Sequence, residues 1–112
     1  MEIVYTPEVC NDPESGITGH LKIKVPSLIA RYDYMEKAGM DIGMDGNVKG
    51  GNLIKAIKYL VGVSKDHLTE VKLSVKGRDL SSYDDLLYDA DGQNILQDIA
   101  MKLMSGFAPG NA

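Results

Sequence analysis

The chain has 112 residues, 44% of them apolar and 25% charged, with 12 basic against 16 acidic side chains and a formal net charge of −4. That length fits one domain (residues 1–112) able to bury a modest core, and the composition excludes a disordered chain. The acidic balance argues against nucleic acid as a partner, and the single cysteine, Cys10, excludes an intrachain disulfide.

Met1-Glu2-Ile3-Val4-Tyr5 is followed at once by Pro7 and Glu8, without the apolar h-region of a signal peptide. No stretch reaches the roughly 18 apolar residues of a membrane span. One cysteine and no such segment give a cytoplasmic expectation, with no membrane partner.

Ile3-Val4-Tyr5-Thr6 reads as a short strand, and Pro7, Asn11, Asp12, Pro13 and Gly16 as a loop. From Ile17 to Val25 the chain alternates: Ile17, Leu21, Ile23 and Val25 on one face, Thr18, His20, Lys22 and Lys24 on the other. That is the period of a strand with one wet side. The two strands are expected to pair as an antiparallel hairpin. Pro26-Ser27 opens a helix whose apolar stripe is Leu28, Tyr32 and Met35, widened by Ile29 and ended by Gly39. Residues 39–51 hold five glycines and no sustained period, which reads as a mobile loop.

Asn52 is placed to cap the most strongly patterned helix, with Leu53, Ile54, Ile57, Leu60 and Val61 as its stripe and Gly62 weakening its end. Val71, Leu73 and Val75 alternate with Lys72, Ser74 and Lys76 in one further short strand closed by Gly77. Ser81 or Ser82 caps a brief helix bearing Tyr83, Leu86 and Leu87. Asp89-Ala90-Asp91-Gly92 reads as a turn before a last helix through Ile95, Leu96, Ile99, Ala100 and Leu103 to Gly106. Residues 106–112 read as a flexible tail, with Phe107 able to pack back. The expected class is α+β: an N-terminal antiparallel β-hairpin, a small bundle of three to four helices and one more strand.

The search for chemistry finds little. Asp41, Asp45, Gly46 and Val48 sit at calcium-loop positions, but Gly43 and Asn52 replace two ligands such a loop needs. Asp84, Asp85, Asp89 and Asp91 crowd a helix start and a turn, where acids serve the backbone and the helix dipole. His20 falls on a strand's polar face, His67 in a charged connection, and Cys10 in an irregular segment, with no triad or metal spacing among them. Gly46-Asn47-Val48-Lys49-Gly50-Gly51 fits no phosphate-loop pattern. Neither a catalytic residue, nor a metal, nor a cofactor is expected.

What remains is a surplus of apolar faces on a short chain, and such surpluses mark interaction sites. Met35, Met40, Met44, Met101 and Met104 are adaptable contact residues. The expected partner surface is Leu53, Ile57 and Leu60 with Met101 and Met104.

The C-terminal stretch carries a resemblance. A short acidic helix with Leu86-Leu87, then Asp-Gly, then an amphipathic helix ending in Leu103-Met104-Ser105-Gly106-Phe107 and a Gly-Asn tail resembles the tail assembly chaperones of long-tailed, siphovirus-type bacteriophages and prophages. Val25-Pro26-Ser27 before a helix, and the central helix from Leu53 to Val61, are similar in outline, so the likeness runs from about Gly19 onward. The resemblance implies a non-catalytic protein that binds the tape measure protein and the major tail tube protein in the host cytoplasm. It further implies a homo-oligomer, absent from the mature virion, in some cases also made in a longer frameshifted form. Three other readings compete: a structural tail completion or connector subunit, a small calcium-responsive binding module and, last because no catalytic constellation converges, a small enzyme.

Overall fold

The computed structural model describes residues 1–39, 41–42, 48–49 and 53–107. β1 (Glu2–Tyr5) and β2 (Ile17–Lys24) pair antiparallel, with Ile3 opposite Ile23 and Tyr5 opposite Leu21. Their connection carries two 3-10 turns, Glu8–Asn11 and Pro13–Ser15; the Asp12 carboxylate caps the second by accepting the Glu14 N–H at 3.0 Å.

α1 (Leu28–Lys37) starts where the Ser27 hydroxyl accepts the Ala30 N–H at 3.1 Å, and is followed by Gly39 at φ +73°. The segment expected as a mobile loop contains a two-stranded ribbon, β3 (Asp41–Ile42) against β4 (Val48–Lys49). Met40, Met44, Asp45 and Asn52, with the calcium and N-cap readings that rest on them, lie outside the described residues.

α2 (Leu53–His67) continues five residues beyond Gly62. A helical glycine costs about 1 kcal/mol relative to alanine, whereas Leu60, Ser64 and His67 on either side of it are buried by tertiary packing. Packing prevails, so His67 is the last helical residue and not part of a charged connection. β5 (Leu68–Val75) follows without a linker. Lys76 and Gly77, at φ 51° and 84°, form a two-residue hairpin turn with both centres left-handed, and return the chain as β6 (Arg78–Leu80). One further strand was expected here; two join the sheet, which is antiparallel throughout in the order β1-β2-β5-β6.

α3 (Tyr83–Tyr88) is capped by Ser82, whose hydroxyl accepts the Asp85 N–H at 3.1 Å. The Asp-Gly sequence expected as a turn is instead the first turn of α4 (Ala90–Ser105), with Asp89 as N-cap. Gly92 is there because α3 passes so close: a Cβ at this position would stand 2.8 Å from the Leu86 backbone.

The fold is α+β and starts from a β-hairpin. Tyr5, Ile17, Leu21, Ile23, Val71, Leu73, Val75 and Leu80 bury one face of the sheet against Leu86, Ile95, Leu96 and Ile99 of α3 and α4. The opposite face carries His20, Lys22, Glu70 and Lys72, giving two layers with one wet side. A second, smaller cluster joins Met35, Leu60, Ala100 and Met104 of α1, α2 and α4. Phe107 packs back: its ring meets Tyr5 edge-on at 5.8 Å, so the tail is anchored at its start.

Candidate functional site

The inner face of α2 is set by Ala56, Leu60, Ser64 and His67, spaced at i, i+4, i+8 and i+11. The Leu53, Ile57 and Leu60 line expected to meet a partner lies along this same face. Leu60 is fully buried, Ile57 is half-buried, and only Leu53, at the helix start, is open. On α4, Met104 is buried in the second cluster and Met101 is half-buried beside it. Leu60 and Met104 are therefore occupied within the chain, because α1, α2 and α4 close on one another there.

The open apolar residues fall elsewhere. On α1 and its C-cap the inward positions are Arg31, Tyr34, Met35 and Ala38, which turns Ile29 and Tyr32 outward. Leu28 is 56% exposed, Ile29 73%, Tyr32 54%, Leu53 54% and Ile54 78%. α1 approaches α2 near Leu60 and His67, while Leu53 and Ile54 stand at the other end of α2. Sequence spacing found the stripes but could not orient them. The signal was available only in part: Ala38, small and directly after the stripe of α1, is the kind of residue that permits close approach inward.

The connections that hold these helices are polar. His67 Nδ1 lies 2.6 Å from the Lys24 carbonyl, which can only accept, so Nδ1 carries the proton. In the neutral ring Nε2 then accepts from the Tyr34 hydroxyl at 2.7 Å. One imidazole thus ties the end of β2, α1 and α2 together. Burial, then the neighbouring Tyr59, Asp66 and Asp33, pushes the Tyr34 hydroxyl above its ordinary range. Arg31 donates to the Met104 carbonyl from Nε at 3.3 Å and from its guanidinium end at 3.2 Å, placing a cation at the C-terminus of α4.

Most of the charged candidates for chemistry form ion pairs or cap helices. His20 lies 3.6 Å from Glu70, which also faces Lys22 at 3.8 Å and Lys72 at 3.4 Å. Partial burial works against the Glu70 charge, but the Lys72 hydrogen bond and the neighbouring Lys22, Lys72 and His20 hold its carboxyl below the usual range. Asp85 accepts the Ser81 N–H at 2.8 Å. Asp89 accepts the Gly92 N–H at 2.9 Å and the Arg78 guanidinium at 2.6 Å, and these bonds hold its carboxyl low. Asp91 pairs with Lys76 at 3.3 Å. Cys10 is half-buried, and burial pushes its thiol up, away from the reactive thiolate. Among the described residues no group of three or more His, Cys, Asp or Glu side chains converges as a metal site, and no helix is long and apolar enough to cross a membrane.

No protein-family model, curated protein or solved structure matches the chain.

Proposed function

We propose that this protein acts by binding other proteins through the outward faces of α1 and α2, as a phage tail assembly chaperone for the tape measure protein and the tail tube subunits. The observation that carries the reading is the group Leu28, Ile29, Tyr32, Leu53 and Ile54, each more than half exposed. Fully burying a Leu or Ile side chain is worth roughly 1.5–3 kcal/mol. Covering several of them on a partner helix therefore supplies a substantial share of a stable association. An amphipathic helix laid on an apolar helix face is an established mode of peptide recognition. The C-terminal pattern from Leu86 to Phe107 supports the narrower, phage-tail reading by resemblance.

The test is co-expression with a phage tape measure protein, the long helical partner that this reading names. The native chain should keep that protein soluble and co-purify with it. A variant carrying Leu28→Ser, Ile29→Ser and Ile54→Ser should fold with an unchanged melting temperature and lose the partner. Retention of the partner by the folded variant overturns the surface. Detection of the protein in purified particles by mass spectrometry overturns the chaperone role in favour of a tail component.

A further inference from the structure

We propose that the cleft between the Glu8–Asn11 turn and α4 receives an arginine side chain of a protein partner. The cleft encloses ≈ 170 Å³. Its apolar lining is Pro7, Val9, Ile17 and Ile95, of which Ile17 and Ile95 are core residues of the sheet and α4. Its walls carry acids on both sides: Glu8 from the turn, and Asp91 and Asp98 from α4 with Asn94 between them. Residues 91, 94 and 98 recur at i, i+3 and i+7, so one ridge of the helix presents all three.

The chemistry matches one side chain better than others. An arginine lays an apolar stem along hydrophobic surface and ends in a planar, always charged head with five donors. Here the stem has Val9, Ile17 and Ile95 to cover. The head has carboxylates on opposing walls and an amide oxygen beside them. A lysine carries a compact, strongly hydrated charge without the planar fork of donors, so it costs more to desolvate here and fixes no orientation between the two walls. An anionic guest is repelled, and a purely apolar one leaves the acidic rim desolvated without a partner.

The cations already nearby do not close the site. Lys76 and Arg78 reach Asp91 at 3.3 Å and 3.8 Å, and Lys102 reaches Asp98 at 3.6 Å. These pairs are only partly open to solvent, and Asp98 also accepts the Tyr5 hydroxyl, so its position is fixed without the lysine. Glu8 and Asn94 make no side-chain hydrogen bond or ion pair among the described residues. They are the groups an incoming guanidinium would engage first. None of the cleft residues belongs to the outward faces of α1 and α2, so this site stands or falls independently of the chaperone reading.

The experiment is a methyl NMR titration of the full chain with N-acetyl-arginine amide, alongside the neutral isostere N-acetyl-citrulline amide. The arginine probe should move the methyl signals of Val9, Ile17 and Ile95 in a saturable way, with the citrulline probe leaving them unmoved. Glu8→Lys, at an exposed position, should keep the melting temperature and weaken the arginine response by at least about tenfold. Equal responses to the two probes, shifts scattered over the whole surface, or an unweakened response in folded Glu8→Lys would each overturn the assignment. So would displacement of the arginine probe by calcium or magnesium at equal concentration, which would make the site one for a divalent cation.

Discussion

The sheet with α3 and α4 and the layer made by α1 and α2 are built from the same residue types and end in different states. In the first region large side chains of the inward face are sealed, and the helix ends are finished by side chains: Ser82 caps α3, while Asp89 caps α4 and holds Arg78. In the second, a cluster of four buried residues carries the packing, and Leu28, Ile29, Tyr32, Leu53 and Ile54 stay open. The difference teaches that an apolar stripe is a requirement for a neighbour, which the chain meets in one place and leaves unmet in the other.

The sharpest way to break the comparison is to damage the sealed region. Gly19 stands at φ +118° on β2, and a Cβ there would lie 2.1 Å from the Lys72 carbonyl oxygen. Gly19→Ala combines overpacking with backbone strain and should cost at least about 3 kcal/mol, read as a fall in the denaturant midpoint. Next comes the one fully buried leucine of the thinner layer. Leu60→Ala should cost about 2–3 kcal/mol, toward the low end for leucine because the cluster around it is small and can collapse. Equal losses at Leu60 and at Leu96 of the sheet core would show that the two regions are equally tight.

A smaller effect separates the regions by pH. Backbone and Arg78 hydrogen bonds depress the Asp89 carboxyl, and the Ser81 and Ser82 contacts depress that of Asp85. A folded-state value below the unfolded one gives stability that is present above the ordinary Asp range of about 4 and lost as pH falls through the lower folded value. Hydrogen exchange in acid should therefore rise first at the starts of α3 and α4. Asp89→Asn should flatten that dependence. Smallest of all for stability are the open residues: Ile29→Ser or Ile54→Ser should stay within about 0.5 kcal/mol of the native chain. A larger loss would mean that these side chains are part of the fold and would remove the basis of the binding reading.

Much of the fold is legible along the chain because its signals are local. The alternation of Ile17, Leu21 and Ile23, the caps at Ser27 and Ser82 and the stop at Gly39 need only their own neighbours. The misreadings share a cause. Gly62 and Gly92 look like breaks until distant contacts are counted: α2 is carried past Gly62 by the burial of Ser64 and His67, and Gly92 is the point where α3 and α4 touch. β6 is three residues long, too short to show a period, and exists because the turn at Lys76-Gly77 lays it on β5. For the partner surface, Leu53 was legible and open, but Leu60 and Met104 were legible only as apolar.

The sequence by itself determined which residues are apolar, where the longer regular segments fall and that the class is α+β, since periodicity and capping act within a few residues. Only the tertiary structure decided which side of each helix turns inward. That choice depends on what the rest of the chain brings to the same place: α4 against Leu60, α1 against Met104, and, among the described residues, too little to bury Ile29 or Ile54. Burial is a property of pairs of elements, and a stripe read along one helix contains half of that information.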